Sequence, residues 1–234
     1  MKKLFIGIAF AGSLFINAQE KTKSSSPITF GVKGGLNLST VSENSEYSEY
    51  HDDENKMKAG FHAGVFVNIP VAQKFSIQPE LLFSQLGAKI EERERFLVAD
   101  YSYRREADYT ANFNYLVLPV MVQYNILPQL YVEAGPEFGY LLGGRFKGDD
   151  VTTIRKSAGS QTVTTKESLS EKLDTDLYNR FQFGIGIGAG YYFTQNFGVT
   201  ARFTAGITNI MDNGDSDYKI RNNAFQVGVA YKFK

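Results

Sequence analysis

Histidine, the side chain best suited to proton transfer near neutral pH, occurs only twice in this chain of 234 residues. His51 lies beside Asp52 and Asp53, and a histidine next to a carboxylate can serve as a general base. A surface hydrolase centred on His51 is therefore one hypothesis. His62 alternates with apolar neighbours, where we expect a hydrogen-bonded structural histidine. No serine lies in a nucleophile-elbow context, and the glycines of residues 184–190 do not follow the G-x-G-x-x-G spacing of dinucleotide sites.

Carboxylates are concentrated in two stretches that could bind a divalent cation weakly. Residues 40–56 carry six acids against one lysine, and residues 212–217 read DNGDSD. Neither stretch matches the EF-hand calcium loop, so solvated loops are the favoured interpretation and no fixed metal or cofactor is predicted. If Ca²⁺ binds here, or bridges the protein to lipopolysaccharide, the candidate ligands are Glu49, Asp52, Asp53, Asp212, Asp215 and Asp217.

The overall composition narrows the class of protein. The chain has 25 basic and 25 acidic residues, which argues against a nucleic-acid binder because such proteins need a basic surface. The absence of cysteine excludes disulfides and cysteine-ligated metals. The mean hydropathy of −0.25 is unlike that of a bundle of membrane helices. It is compatible with a membrane barrel, whose apolar residues alternate with polar ones.

The first residues have the pattern of a secretory signal. Lys2 and Lys3 precede an apolar run over residues 4–16, which is shorter than the ~20 residues of a membrane-spanning helix. We predict a signal peptide over residues 1–18, a polar lead-in over residues 19–27 and a single domain over residues 28–234.

Strict alternation of apolar and polar residues is the main structural signal. In residues 115–143, Leu116, Leu118 and Val120 share one face of a strand, and Val132 and Phe138 continue that face in the next. Eight such strands are predicted, over residues 28–39, 57–69, 75–84, two within 115–143, 181–192, 197–208 and 224–233. Short turns and long polar connections alternate between them, as in outer-membrane barrels with periplasmic termini. Aromatic residues near the strand ends, including Phe113, Tyr115 and Tyr178, predict interfacial belts.

Glycine and charged residues on the face opposite the apolar one indicate a narrow barrel with a packed lumen. The glycines of residues 184–190 all fall on that face, where an eight-stranded barrel has room only for side chains. Pro79, Pro119 and Pro136 lie within strands, so we expect bulges or locally broken pairing beside them. The inward polar residues predicted to form a paired network are Lys33, Lys58, His62, Glu80, Glu133, Glu137, Arg180, Arg202 and Lys232.

Several segments resemble the PorT-like outer-membrane β-barrel proteins of Bacteroidetes-type bacteria. They are SIQPELLFSQLGAK, NYLVLPVMVQY, YVEAGPEFGYLLGG, FGIGIGAGYYF and ARFTAGITNI, in this order along the chain. The resemblance implies an outer-membrane location, and some members of the group are linked to protein secretion. The chain departs from the group at Val117 and Gln182, where acidic residues are common, and in ending on Lys234 rather than an aromatic residue.

The sequence therefore predicts an all-β, antiparallel up-and-down barrel of eight transmembrane strands in the cell outer membrane. We expect a monomer without enzymatic activity, in contact with lipid and lipopolysaccharide, that meets a protein partner through its long extracellular loops or serves in the envelope or in secretion. Residues 87–110 and 143–176 suit such contact, or continue the sheet above the membrane. The alternatives are the His51 hydrolase, a narrow ion pore and a soluble lipocalin-like barrel.

Overall fold

The computed structural model describes residues 27–44, 54–98, 100–156, 162–212 and 219–233. Several predictions lie outside this part of the chain and are not tested by it. They are the signal peptide, nearly all of the lead-in, His51 and five of the six candidate cation ligands, namely Glu49, Asp52, Asp53, Asp215 and Asp217.

Ten strands make up almost all of the described chain. They are β1 (Thr29–Asn44), β2 (Glu54–Lys56), β3 (Lys58–Pro70), β4 (Phe75–Val98), β5 (Tyr101–Asn125), β6 (Leu130–Lys156), β7 (Thr162–Lys172), β8 (Phe181–Tyr192), β9 (Phe197–Gly206) and β10 (Lys219–Lys232). One turn of 3-10 helix, Thr175–Leu177, lies between β7 and β8. Among the described residues, no helix has the length and apolar character needed to cross a membrane.

Eight of the strands close into a ring of antiparallel pairs. The order is β4-β3-β1-β10-β9-β8-β6-β5, and β5 pairs with β4 to complete the circle. The first and last strands are neighbours, with Gly31 opposite Lys232. The prediction of an eight-stranded antiparallel barrel is confirmed, while β2 and β7 are additions outside the ring.

Apolar side chains cover the outside of the ring, and charged side chains lie in the middle of its interior. Val65, Ile185 and Val227 are 52%, 48% and 41% exposed, whereas Arg202 is 1% exposed. Gly186 faces inward, since a Cβ there would meet the side chains of Met121, Glu137 and Arg202. This arrangement suits a barrel surrounded by lipid and excludes the lipocalin-like alternative, whose apolar face would point inward.

Strand pairing is interrupted beside the three prolines. The β3–β4 and β4–β5 ladders both lapse next to Pro79, and the β5–β6 ladder lapses between Pro119 and Val122, opposite Pro136. The register is the same on both sides of each gap. The expectation of locally broken pairing is confirmed, and the cause is that proline has no N–H to donate.

The one register shift between β5 and β6 lies farther from the short turns, opposite Asn114 and Tyr115. Gly143 sits there with φ +148°, a conformation that side chains other than hydrogen rarely allow. One extra residue in β6 reverses which side chains face outward, so Arg145 and Lys147 continue the outer face beyond the bulge.

Three strands continue well past the ring. The β6–β8 ladder ends at Tyr140 and Phe181, but β6 remains paired with β5 as far as Lys156. From Gly144 onward this is about 40 Å of strand at ~3.3 Å per residue. We call residues 87–98, 101–113, 144–156 and 162–172 the protruding sheet. The connections over residues 87–110 and 143–176 are thus largely strand. The hydrophobic pattern did not show these strands because charged residues occur on both of their faces.

Candidate functional site

A buried ion network crosses the middle of the lumen. The guanidinium group of Arg202 on β9 donates to Glu133 from Nε at 2.8 Å, to Glu80 from Nη2 at 2.8 Å and to Glu137 from Nη1 at 3.2 Å. Lys33 on β1 donates to Glu80 at 3.3 Å. All five side chains are almost fully buried, so the network joins four strands of the ring across its centre.

Neutral polar side chains extend the network toward the short-turn end. Gln78 donates to Glu80 at 2.9 Å, and Gln123 donates to Glu133 at 2.9 Å. Asn68 in turn donates to Gln123 at 2.8 Å. These amides were not among the predicted network residues, although their alternation already placed them on the inner face. Glu80 and Glu133 thereby each gain a further hydrogen-bond donor, which lowers the cost of burying their charge.

The other predicted network residues lie at different levels. His62 Nδ1 is 2.7 Å from Asn37 Oδ1, and His62 is fully buried. Lys58 is also buried, and its Nζ has no hydrogen-bond partner among the described residues. Lys232 lies at the short-turn end with Nζ 3.9 Å from the centre of the Tyr192 ring.

Arg180 does not share the interior, contrary to the sequence prediction. It is exposed and bonds to Asp176 at 3.0 Å and to Thr175 at 2.9 Å. The reason is that Arg180 precedes the first residue of β8, so strand alternation does not determine its direction.

An apolar cluster closes the lumen at the long-hairpin end. Phe113, Tyr115, Val117, Leu141 and Ile210 are buried together there, and Tyr178 packs on Phe113 with ring centres 5.4 Å apart. The prediction that Phe113, Tyr115 and Tyr178 belong to an interfacial belt is therefore wrong for these three. Phe113 and Tyr115 occupy inward positions of β5, whereas Tyr140 on the outer face of β6 is exposed.

A small cavity separates the apolar cluster from the ion network. Its volume is about 40 Å³, and Gln182, Thr204, Asn222 and Gln226 line it. Each of these four side chains has a polar atom without a hydrogen-bond partner among the described residues. A cavity of this size has room for about three water molecules. The ion network and the apolar cluster thus fill the lumen on either side of a small chamber whose lining includes these unpaired polar atoms.

The described residues contain no arrangement suited to a metal. Among them, no group of three or more histidine, aspartate or glutamate side chains is arranged so that it could hold a metal ion. Asp212, the one candidate cation ligand that the structure describes, is exposed.

The outer face of the protruding sheet carries charge in bands. Glu91, Asp108 and Asp149 form one cross-strand row, and Arg95 and Arg104 lie opposite each other two rows farther out. Ion pairs join neighbouring rows, such as Arg93 to Asp108 at 3.0 Å and Lys166 to Asp149 at 3.1 Å.

The inner face of the sheet has its own polar centre. Arg105 donates to Asp150 at 2.8 Å from Nε and to Tyr109 at 3.2 Å from Nη2. The hydrogen bond with Asp150 raises the pKa of Arg105, and partial burial raises the pKa of Tyr109. Both groups therefore keep their protons at physiological pH, and these contacts hold β5 against β6.

Comparison with known proteins agrees with this architecture. Residues 17–212 match the sequence model of a family described as outer membrane protein beta-barrel domain. The chain belongs to this family. As a member of the outer membrane β-barrel family, it is a protein of the outer membrane, and its ring of eight strands is the membrane domain.

The solved structures that are similar to this chain are distant in sequence. The attachment invasion locus protein Ail of Yersinia pestis is 13% identical, with 89% of this chain and 100% of that chain covered and a TM-score of 0.42. Neisserial surface protein A is 10% identical, with 89% and 100% covered and a TM-score of 0.41. OprG of Pseudomonas aeruginosa is 12% identical, with 88% and 95% covered and a TM-score of 0.36. No curated protein matches the chain in sequence.

Proposed function

We propose that this outer-membrane barrel is a non-enzymatic surface-interaction protein that acts through its protruding sheet. The observation that carries the proposal is the continuation of β4, β5 and β6 for about 40 Å beyond the ring as paired strands. A barrel needs only enough strand to cross the lipid, so this additional paired length serves something outside the membrane.

The filled lumen supports an interaction role over transport. Arg202 and its three glutamates occupy the centre, and the cluster around Tyr115 and Ile210 occupies the long-hairpin end. A solute would have to displace buried ion pairs as well as an apolar core. The protein therefore offers its surfaces, and not a passage, to its surroundings.

The proposed orientation follows from the connections. The short turns and the ends of β1 and β10 are placed in the periplasm, and the protruding sheet faces the exterior, as in other barrels of this class. Residues 1–18 are proposed to be a signal peptide and residues 19–27 a periplasmic lead-in. The barrel acts as a monomer in contact with lipid and lipopolysaccharide. A PorT-like role in protein secretion would use the same exposed sheet to contact a partner.

Shortening the sheet tests the proposal directly. Removing residues 92–107 and 150–167 leaves Glu91 opposite Asp108 and Asp149 opposite Ser168, and each pair can be closed by an Asn-Gly turn. We expect this shortened variant to insert into the outer membrane normally. Cross-linking on whole cells, followed by mass spectrometry, should then lose the partner cross-links that the intact protein forms. Unchanged cross-links would overturn the proposal.

Two further measurements address the alternatives. Planar-bilayer recordings of the intact barrel are expected to show no steady single-channel steps, and such steps would indicate a pore. Hydrolysis of peptide or lipid substrates that disappears in His51→Ala would instead support the hydrolase.

A further inference from the structure

Four cations form a belt on the outer face of the protruding sheet, close to the ring. Arg145 and Lys172 lie opposite each other in one cross-strand row, and Lys89 and Lys147 flank Thr110 in the next. All four side chains are exposed. We call these four residues the basic belt.

The basic belt begins just beyond the apolar band on the outer face of these strands. The last complete apolar row on the outer face of these strands contains Phe83, Leu116, Tyr140 and Phe181. Leu142, 54% exposed, is the last outward apolar residue of β6 before the bulge, and Arg145 follows it by three residues. Three residues are about 10 Å along a strand, and less along the membrane normal because barrel strands are tilted by about 40°. The polar headgroup layer adds roughly 5–8 Å to each side of the hydrocarbon.

The positive charge of the basic belt is not neutralised within the part of the protein that the structure describes. None of the four cations forms an ion pair with any carboxylate that the structure describes, and Arg145 donates only to the hydroxyl of Ser170, at 3.2 Å. The acids of the next row are engaged elsewhere. Glu91 and Asp108 pair with Arg93, and Asp149 pairs with Lys166. Relative to the described carboxylates, the basic belt is therefore available to bind an anion from outside.

We propose that the basic belt binds the phosphorylated headgroup of an outer-leaflet lipid, with Arg145, Lys147 and Lys89 contacting the phosphate oxygens. Arginine and lysine are the usual phosphate ligands, and the hydroxyls of Thr110 and Ser170 lie in the same row as further donors. Binding holds the base of the protruding sheet at the membrane surface. The inference requires only that the ring lies in the membrane, so it does not depend on the function proposed for the sheet.

A second set of cations on the same face provides a matched control. Arg95, Arg104 and Arg155 also face outward but lie at least six residues beyond the row of Lys89 and Lys147, and at least eight residues beyond the row of Arg145. That is about 26 Å beyond the row of Arg145, which is out of reach of a headgroup. Replacing either set by glutamine removes three positive charges from one face.

The experiment compares the two triple variants in lipid nanodiscs. The full barrel is placed in phosphatidylcholine with or without phosphatidic acid, and native mass spectrometry counts the lipids that it retains. Wild type and the Arg95→Gln, Arg104→Gln, Arg155→Gln variant should retain phosphatidic acid preferentially. The Lys89→Gln, Arg145→Gln, Lys147→Gln variant should lose the preference, with retention weakened roughly fivefold for each charge removed. The variant Lys89→Arg, Arg145→Lys, Lys147→Arg should keep the preference. That result would show that the loss in the glutamine variant comes from the missing charge and not from a folding defect.

Three outcomes would overturn the inference. One is equal loss of phosphatidic acid in both glutamine variants, which would indicate diffuse attraction. Another is that the Lys89→Gln, Arg145→Gln, Lys147→Gln variant retains phosphatidic acid as well as wild type does. The third is displacement of the lipid by an equal concentration of inorganic phosphate, which would indicate a site for free anions. The shortened variant retains all four belt residues and should bind phosphatidic acid like wild type, whatever the result for partner binding.

Discussion

Arg202 holds the interior of the barrel together because one guanidinium group contacts Glu80, Glu133 and Glu137. Its planar, forked donors can satisfy several carboxylates at once, which a lysine ammonium in the same place would do less well. Lys33 supplies a second positive charge to Glu80. The arrangement is interdependent, since each carboxylate is buried only because a cation is present.

Replacing Arg202 by glutamine should therefore destabilise the barrel severely. Three carboxylates would be left around one lysine, and breaking a buried pair typically costs about 3–5 kcal/mol of unfolding free energy. The measurement is urea unfolding in detergent micelles, followed by far-ultraviolet circular dichroism because the chain contains no tryptophan.

The matched control is Arg180→Gln, which removes an exposed arginine whose partner Asp176 is also solvated. We expect its unfolding midpoint to equal that of wild type. Similar losses in the two variants would show that the lumen network contributes no specific stability.

At the scale of strands, glycine allows neighbouring backbones to approach inside a narrow barrel. Gly64 on β3 faces the lumen, and a Cβ there would collide with the backbone carbonyl oxygen of Leu81 on β4. Backbone cannot move aside as a flexible side chain can. Gly34, on the outer face of β1, has its nearest neighbour 3.5 Å from an added Cβ, which is an ordinary contact.

Replacing glycine by alanine should therefore have different effects at the two positions. Gly64→Ala should lower the unfolding free energy by about 1–3 kcal/mol, because overpacking forces the β3–β4 pair apart. Gly34→Ala should leave the free energy nearly unchanged. After refolding, the change in gel migration on heating gives the fraction of folded barrel for each variant. Equal fractions for the two variants would contradict the packing argument.

At the scale of the whole molecule, the barrel is inverted relative to a soluble protein, with apolar residues outside and charge inside. The absence of cysteine makes this easy to test, since every introduced thiol is unique. Val65→Cys and Val227→Cys should resist a water-soluble maleimide in membranes, because both side chains face lipid. Arg95→Cys on the distal protruding sheet should react quickly. Rapid labelling at Val65 and Val227 would show that this face meets water.

The two parts of the molecule are held by different forces. The ring encloses its polar network, while the protruding sheet is stabilised by long ladders and by ion pairs such as Arg105 with Asp150, at 2.7 Å. We expect the shortened variant to unfold at the same urea concentration as wild type, because no ring contact is removed. A markedly lower midpoint, measured by circular dichroism, would show that the sheet supports the ring.

The sequence by itself determined the ring and the direction of most of its side chains. Alternation is a local property of the backbone, so the bounds of β8 and the inward positions of Arg202, Glu80 and Glu133 follow from residue order alone. Broken pairing beside Pro79 was predictable for the same reason, since the missing N–H belongs to the residue itself.

Only the tertiary structure decided which distant residues meet. Arg202 and Glu80 are 122 positions apart, and their pairing depends on the curvature that brings β9 across from β4. Phe113 and Tyr115 pack inside the long-hairpin end of the lumen because the connection that carries Ile210 folds over that end. The protruding sheet and its basic belt depend on ladders between polar strands, whose stability comes from cross-strand partners that no single stretch of sequence contains.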